Sequence, residues 1–182
     1  MKKITNKGFT LIELLVVVAI IAILALVVLL ALNPAEMARK TRDSRRLSDM
    51  GTLRRAIDLS LADNKTLPVT VGGWITINSG SSVTNFGATV GLDISKYLSV
   101  VPEDPLTGVT GTTQNVVGPA SGTVCTLSLA VANTTMIYEF YSDGTNYELR
   151  AKLESADECN AVRGDGKSDG FYELGTNPGM TW

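Results

Sequence analysis

The sequence predicts an α+β chain in which a long N-terminal helix, apolar in its first half and amphipathic in its second, packs on a small antiparallel sheet. Three observations predict it. Leu14 to Leu32 is an unbroken run of 19 apolar residues. Leu47, Met50, Leu53, Ile57 and Leu61 then recur at spacings of three and four, which places them on one helix face. Further on, Tyr147, Leu149, Ala151 and Leu153 alternate with Glu148, Arg150, Lys152 and Glu154, the period of a half-buried strand.

The apolar run reads as a membrane-spanning helix over residues 9–32. At the standard helical rise those residues reach roughly 36 Å, enough to cross a bilayer. The run has no polar face, which disfavours a helix packed in a soluble core. It also exceeds the apolar core of a secretory signal peptide and lacks a small-x-small cleavage site after it. Glu13 lies inside this segment, where a carboxylate costs about 2.5–3.5 kcal/mol, so a partner is expected. A simple signal anchor gains nothing from that carboxylate. A free ammonium group on a neighbouring copy, created by cleavage before Phe9, would be a suitable partner.

Residues 33–64 form the amphipathic second half. Pro34 lacks the N–H that would bond the carbonyl of Leu30, so a kink or local break is expected at Asn33-Pro34. Asn33 is also suited to cap a following helix with Pro34 at its first position. Arg54, Arg55 and Asp58 fall off the apolar stripe. Arg39, Lys40, Arg42, Arg45 and Arg46 form a basic cluster just past the span. Three readings of it stay open: pairing with acidic faces of neighbouring copies, contact with lipid head groups, or a solvated helix face.

Residues 65–182 read as a globular, β-rich head. Val69–Val71 and Trp74–Ile77 have the look of short strands around Gly72-Gly73. Residues 78–91 read as a loop, and Leu92–Leu98 as a short helical turn that runs into the rigid Val101-Pro102-Glu103-Asp104-Pro105. Residues 107–135 are dominated by Gly, Thr, Ser, Val and Ala, an exposed loop or a weak hairpin. Met136–Tyr141 and Asn146–Leu153 form the best strand pair, with Asp143-Gly144 supplying the turn.

Charge and composition narrow the function. Residues 64–182 carry six basic and twelve acidic residues, which argues against a head built to hold nucleic-acid phosphates and against DNA as the main partner. The chain has no histidine, and so lacks both the commonest general acid/base and the commonest zinc ligand. With no Gly-rich phosphate loop and no paired carboxylates, an enzyme or receptor domain on a signal anchor has little support, and no catalytic residue is assigned. Cys125 and Cys159 are an even pair. A disulfide between them is chemically permitted if the head lies outside the cytoplasm, the alternative being two free buried thiols. Arg163-Gly164-Asp165 spells an adhesion tripeptide, a match too short to carry weight.

Gly8-Phe9-Thr10-Leu11-Ile12-Glu13-Leu14, behind the short basic Met1–Lys7, resembles the processing motif of type IV prepilins and type II secretion pseudopilins. The resemblance implies a pilin-like fold with residues 1–8 as a leader peptide and 9–32 as the filament-core helix. It implies a cut between Gly8 and Phe9 by a prepilin peptidase that also methylates the Phe9 amine, and Glu13 as the assembly residue that neutralises a neighbour's N-terminal amine. The implied partners are the membrane before assembly, an inner-membrane assembly platform, and further copies of the chain in a helical homopolymer. The implied location is single-pass in the cytoplasmic membrane at first, then an extracellular or periplasmic filament serving adhesion, motility or DNA uptake. A pseudopilus that drives protein secretion is the alternative. Two departures from the pseudopilin pattern shift the balance toward a pilin: the length of residues 107–135, and Leu106 where an aromatic often follows Asp-Pro. Pilins with a disulfide-bounded C-terminal region support pairing of Cys125 with Cys159. Related pseudopilins bind calcium in a C-terminal loop, which makes Asp165 and Asp169 candidate calcium ligands against the plainer reading of a polar turn. A complete EF-hand is absent, because Lys167 and Thr176 occupy ligand positions. No other cofactor is implied.

Overall fold

The computed structural model describes residues 8–77, 90–107, 113–117, 127–132, 137–166 and 170–179. The chain divides into two compact units, Met1–Ala38 and Arg39–Trp182.

The first unit is built on helix α1, Leu11–Leu32. Leu11–Leu29 is long and apolar enough to cross a membrane. Helix α1 ends at Asn33, whose φ of 39° and ψ of 74° place it in the left-handed region. Asparagine tolerates that region better than most residues, which suits it to a helix C-terminus. Helix α2 then starts at Pro34 and runs to Ala62. The expected interruption is therefore a complete break: Asn33 closes one helix, and Pro34 opens the next at the position where its missing N–H is harmless. The Asn33 carbonyl accepts from the amides of Glu36 and Met37 at 3.0 and 3.3 Å.

The second unit packs α2, from Arg39 onward, on a four-stranded sheet. Its strands are β1 (Ile75–Ile77), β4 (Tyr138–Ser142), β5 (Tyr147–Ala151) and β6 (Tyr172–Gly175). All neighbours in the order β1-β4-β5-β6 are antiparallel. The helix-facing side is apolar. Met50, Leu53, Ala56 and Ile57 meet Tyr138, Phe140, Tyr147, Leu149 and Ala151 in one buried cluster, joined by Ile77, Val90, Leu92, Ile94 and Val101. The stripe expected from the sequence is this contact, although Leu47 and Leu61 at its ends are only half-buried. Two core tyrosines put their polar ends on α2: Tyr138 donates to Asp49 at 3.0 Å and Tyr147 to Asp58 at 2.5 Å. Burial pushes both phenols up, with the facing carboxylates adding to it. On the other side of the sheet the Arg150 guanidinium lies 3.7 Å from the Trp74 ring centre and 4.1 Å from that of Phe171, and it pairs with Glu139 at 2.7 Å.

The hairpin β4–β5 turns at Asp143-Gly144, with Gly144 at φ 89°. The Asp143 carboxylate accepts from the amides of Thr145 and Asn146 at 2.8 and 2.6 Å. Of the expected strand Val69–Val71, only a single bridge from Val69 to Asp143 exists, because the chain turns at Val71-Gly72. Leu92–Leu98 does contain a turn, in which the Ile94 carbonyl accepts from Tyr97 and Leu98 at 3.0 Å. Within residues 107–135 the hairpin alternative is the observed one. Strands β2 (Thr113–Val117) and β3 (Leu127–Ala132) pair antiparallel as a separate two-stranded sheet. Val116 and Val117 are buried, and the Val117 amide donates to the Leu153 carbonyl at 2.8 Å. A 3-10 turn at Ala156–Glu158 leads into the short helix α3, Cys159–Gly164. Neither this pair nor β6 was expected from the sequence.

Candidate functional site

Helix α1 begins one residue after its cap, and the cap defines the site. Thr10 is extended, at φ −78° and ψ 149°. Its hydroxyl oxygen accepts from the Glu13 amide at 3.3 Å, while its own amide and hydroxyl donate to Glu13 Oε2 at 2.8 and 2.7 Å. This reciprocal box satisfies donors that the first helical turn leaves open, and it starts the helix at Leu11. The Gly8–Phe9 peptide therefore lies outside the helix. Gly8 is exposed, and Phe9 is 85% exposed. A protease needs a reachable peptide bond outside regular secondary structure, and the Gly8–Phe9 bond meets both conditions. A Cβ added to Gly8 would meet nothing within 4 Å. Packing around Gly8 accordingly makes no demand for glycine at this position.

Glu13 has a partner that the sequence reading did not assign, the cap residue Thr10 of its own chain. The signal was present, since Thr10-Leu11-Ile12-Glu13 has the Ser/Thr-x-x-Glu spacing of a capping box. Phe9, Ile12, Glu13, Val16 and Val17 line a shallow groove of about 330 Å³ along this end of the helix. Glu13 is its single charged member. Taken by itself, α1 leaves every large apolar side chain from Leu14 to Leu29 about half exposed or more.

The basic cluster past the span does not act as one surface. Arg46 is fully buried. Its guanidinium donates to Asp104 Oδ2 at 2.6 Å and Oδ1 at 3.0 Å, to Asp43 at 2.7 Å and to Glu154 at 2.7 Å. Arg42 adds two bonds to Glu154, at 2.9 and 2.5 Å. The Asp43 carboxylate also accepts from the amides of Glu154 and Ser155. For Arg42 and Arg46 the readings of a solvated face, a lipid contact and an intersubunit pair all give way to an internal knot. That knot ties α2 to the Pro102–Pro105 turn and to the chain leaving β5. A one-dimensional charge run conceals this, because Asp104 and Glu154 are 58 and 108 residues away from Arg46. Lys40 pairs at the surface with Asp157 at 2.5 Å, whereas Arg45 is exposed and only 3.8 Å from Asp49. Burial pushes the Asp43 carboxyl up. It acts on Glu154 in the same sense, but Arg42 and Arg46 more than offset it and hold that group below its ordinary range.

Of the remaining candidates, Asp165 follows α3, and its Oδ2 accepts from the Glu173 amide on β6 at 2.6 Å. This half-buried, inward-bonded position does not suit a projecting adhesion loop. Asp169 lies outside the described residues. Among the described residues no group of three or more His, Cys, Asp or Glu side chains is placed to hold a metal. Cys159 opens α3, and Cys125 lies outside the described residues.

Residues 4–29 match the family described as the prokaryotic N-terminal methylation motif. No curated protein and no solved structure matches the chain. The matched stretch contains Gly8, Phe9, Thr10, Glu13 and most of α1, which are the residues whose geometry suits cleavage and membrane insertion. The chain thus carries the prepilin-type cleavage and methylation motif, and it is a precursor like those of type IV pilins and pseudopilins.

Proposed function

We propose that this chain is the structural subunit of a type IV pilus-like filament, assembled after removal of residues 1–8 and methylation of Phe9. The observation that carries the reading is the exposed apolar helix α1, headed by the motif and carrying a single acid, Glu13, in its first turn. Lipid covers that surface before assembly, and the α1 helices of other copies cover it afterwards. Apolar burial at roughly 25 cal/mol per Å² makes this bundling the main cohesive term. The Thr10 donors hold Glu13 in place at the helix start, and the Phe9 ammonium of a neighbouring copy is its partner during assembly. Cys125 and Cys159 close a disulfide in the head once it is outside the cytoplasm. Asp165 and Asp169 are proposed as ligands of a weak calcium site, which titration calorimetry at millimolar calcium tests by the presence or absence of heat.

The test of the main reading is Glu13→Ala. The variant is expected to accumulate in the membrane, processed to Phe9, while electron microscopy shows no fibres. Normal fibres from this variant would overturn the proposed role of the carboxylate. Long surface fibres from the unaltered chain support a pilus, and short periplasmic assemblies beside secretion components support the pseudopilus alternative.

A further inference from the structure

We infer that Asn64 is an N-glycosylation site, whose side-chain amide takes a saccharide from a polyprenyl diphosphate carrier outside the cytoplasm. Asn64-Lys65-Thr66 has the Asn-x-Thr spacing of an acceptor, with no proline in the middle position. Such a triplet works only on a surface that a transferase can reach. All three residues are exposed, and the chain from Lys65 to Pro68 belongs to no helix or strand. Arg163-Gly164-Asp165 is an equally short match, but its aspartate bonds inward to the Glu173 amide. Here the fold presents the whole triplet.

The fold uses the backbone of Asn64 and leaves its side chain over. Helix α2 ends at Ala62, and a Schellman motif closes its last carbonyls. The Asn64 amide donates to the Leu61 carbonyl at 3.0 Å, and the Lys65 amide to that of Ser60 at 3.2 Å. Asn64 takes the left-handed position of that motif, at φ 63°, a position that glycine fills at least cost. Among the described residues nothing bonds the Asn64 carboxamide or the Thr66 hydroxyl. The helix end beside them is pinned, because the Asp63 carboxylate accepts from Lys96 and Tyr97. In the transfer, Asn64 Nδ2 bonds to the anomeric carbon of the saccharide, and the bond from that carbon to the carrier's diphosphate breaks. The proton lost from Nδ2 goes to a base on the transferase, and the lipid diphosphate leaves. The inference rests on the filament reading only in placing residue 64 outside the cytoplasm.

Peptide mass spectrometry of the chain isolated from the cells that make it tests the inference. The peptide containing Asn64 is expected to carry saccharide mass, which fragmentation places on that side chain. Thr66→Ala leaves Asn64 in place and alters only an exposed residue, yet it is expected to abolish the added mass. Thr66→Ser is expected to keep it. A bare Asn64 in the unaltered chain overturns the inference, and a saccharide retained on Asn64 in Thr66→Ala overturns the role of the triplet. The N-terminal peptide of the same sample reports separately whether the chain has been cut before Phe9. The filament reading therefore stands or falls on a different signal from this one.

Discussion

Arg46 is the residue whose surroundings decide most about the head. Its guanidinium holds three carboxylates, and all four side chains are essentially inaccessible to water. Removing one partner of a buried charge set strands the rest without compensation, at a cost of about 3–5 kcal/mol. Arg46→Met is therefore expected to lower the unfolding free energy by that amount, read from urea denaturation of the full chain in detergent. An unchanged midpoint would show that the knot contributes little. Glu154 gives the same cluster a pH signature. Its folded pKa is depressed, so its contribution is fully present above the unfolded value of about 4.3 and is lost as pH falls through the lower folded value. Asp43 works in the opposite sense, since its raised pKa favours the fold as the pH drops. The comparison that isolates Glu154 is the stability difference between the unaltered chain and Glu154→Gln. That difference is expected to shrink as the pH is taken below about 4, and a constant difference between pH 6 and 3 would contradict it.

At the scale of elements, the β4–β5 hairpin depends on one backbone conformation. Gly144 sits at φ 89°, and a Cβ there would come within 2.9 Å of the Val69 side chain. Gly144→Ala is expected to destabilise the head by roughly 1–2 kcal/mol from the left-handed backbone alone, measured in the same denaturation experiment. The strand pair around this turn was legible because Asp-Gly and strict alternation are local signals. Strand β6 was not. Tyr172-Glu173-Leu174-Gly175 is short and follows a polar, glycine-rich stretch, and its pairing with β5 is what makes it a strand. The basic run of α2 shows the same limit from the other direction. Its spacing marks the helix, but the burial of Arg46 beside an exposed Arg45 depends on acids delivered from distant loops.

For the whole molecule, the proposed processing is the event on which assembly turns. Removing residues 1–8 takes away three lysines and leaves 13 basic against 18 acidic residues, a net charge of −5. Mass spectrometry of the mature product is expected to find Phe9 at the N-terminus carrying one added methyl group. A product that retains Met1–Gly8 would remove the basis for assembly through α1. Thiol labelling of the mature chain before reduction is expected to leave both cysteines unmodified, and labelling of both would refute the proposed Cys125–Cys159 bond.

The sequence by itself determined the apolar span, the break at Asn33-Pro34, the methylation motif around Gly8 and Phe9, the acid at Glu13, and the α2 face that carries the core. Each of these rests on covalent order and helical or strand period, so neighbouring residues are enough to specify it. Tertiary structure alone decided that Arg42 and Arg46 are internal ion-pair partners and that Tyr172–Gly175 completes the sheet. These depend on which distant segments meet, and burial turns such meetings into energy only when the chain is folded.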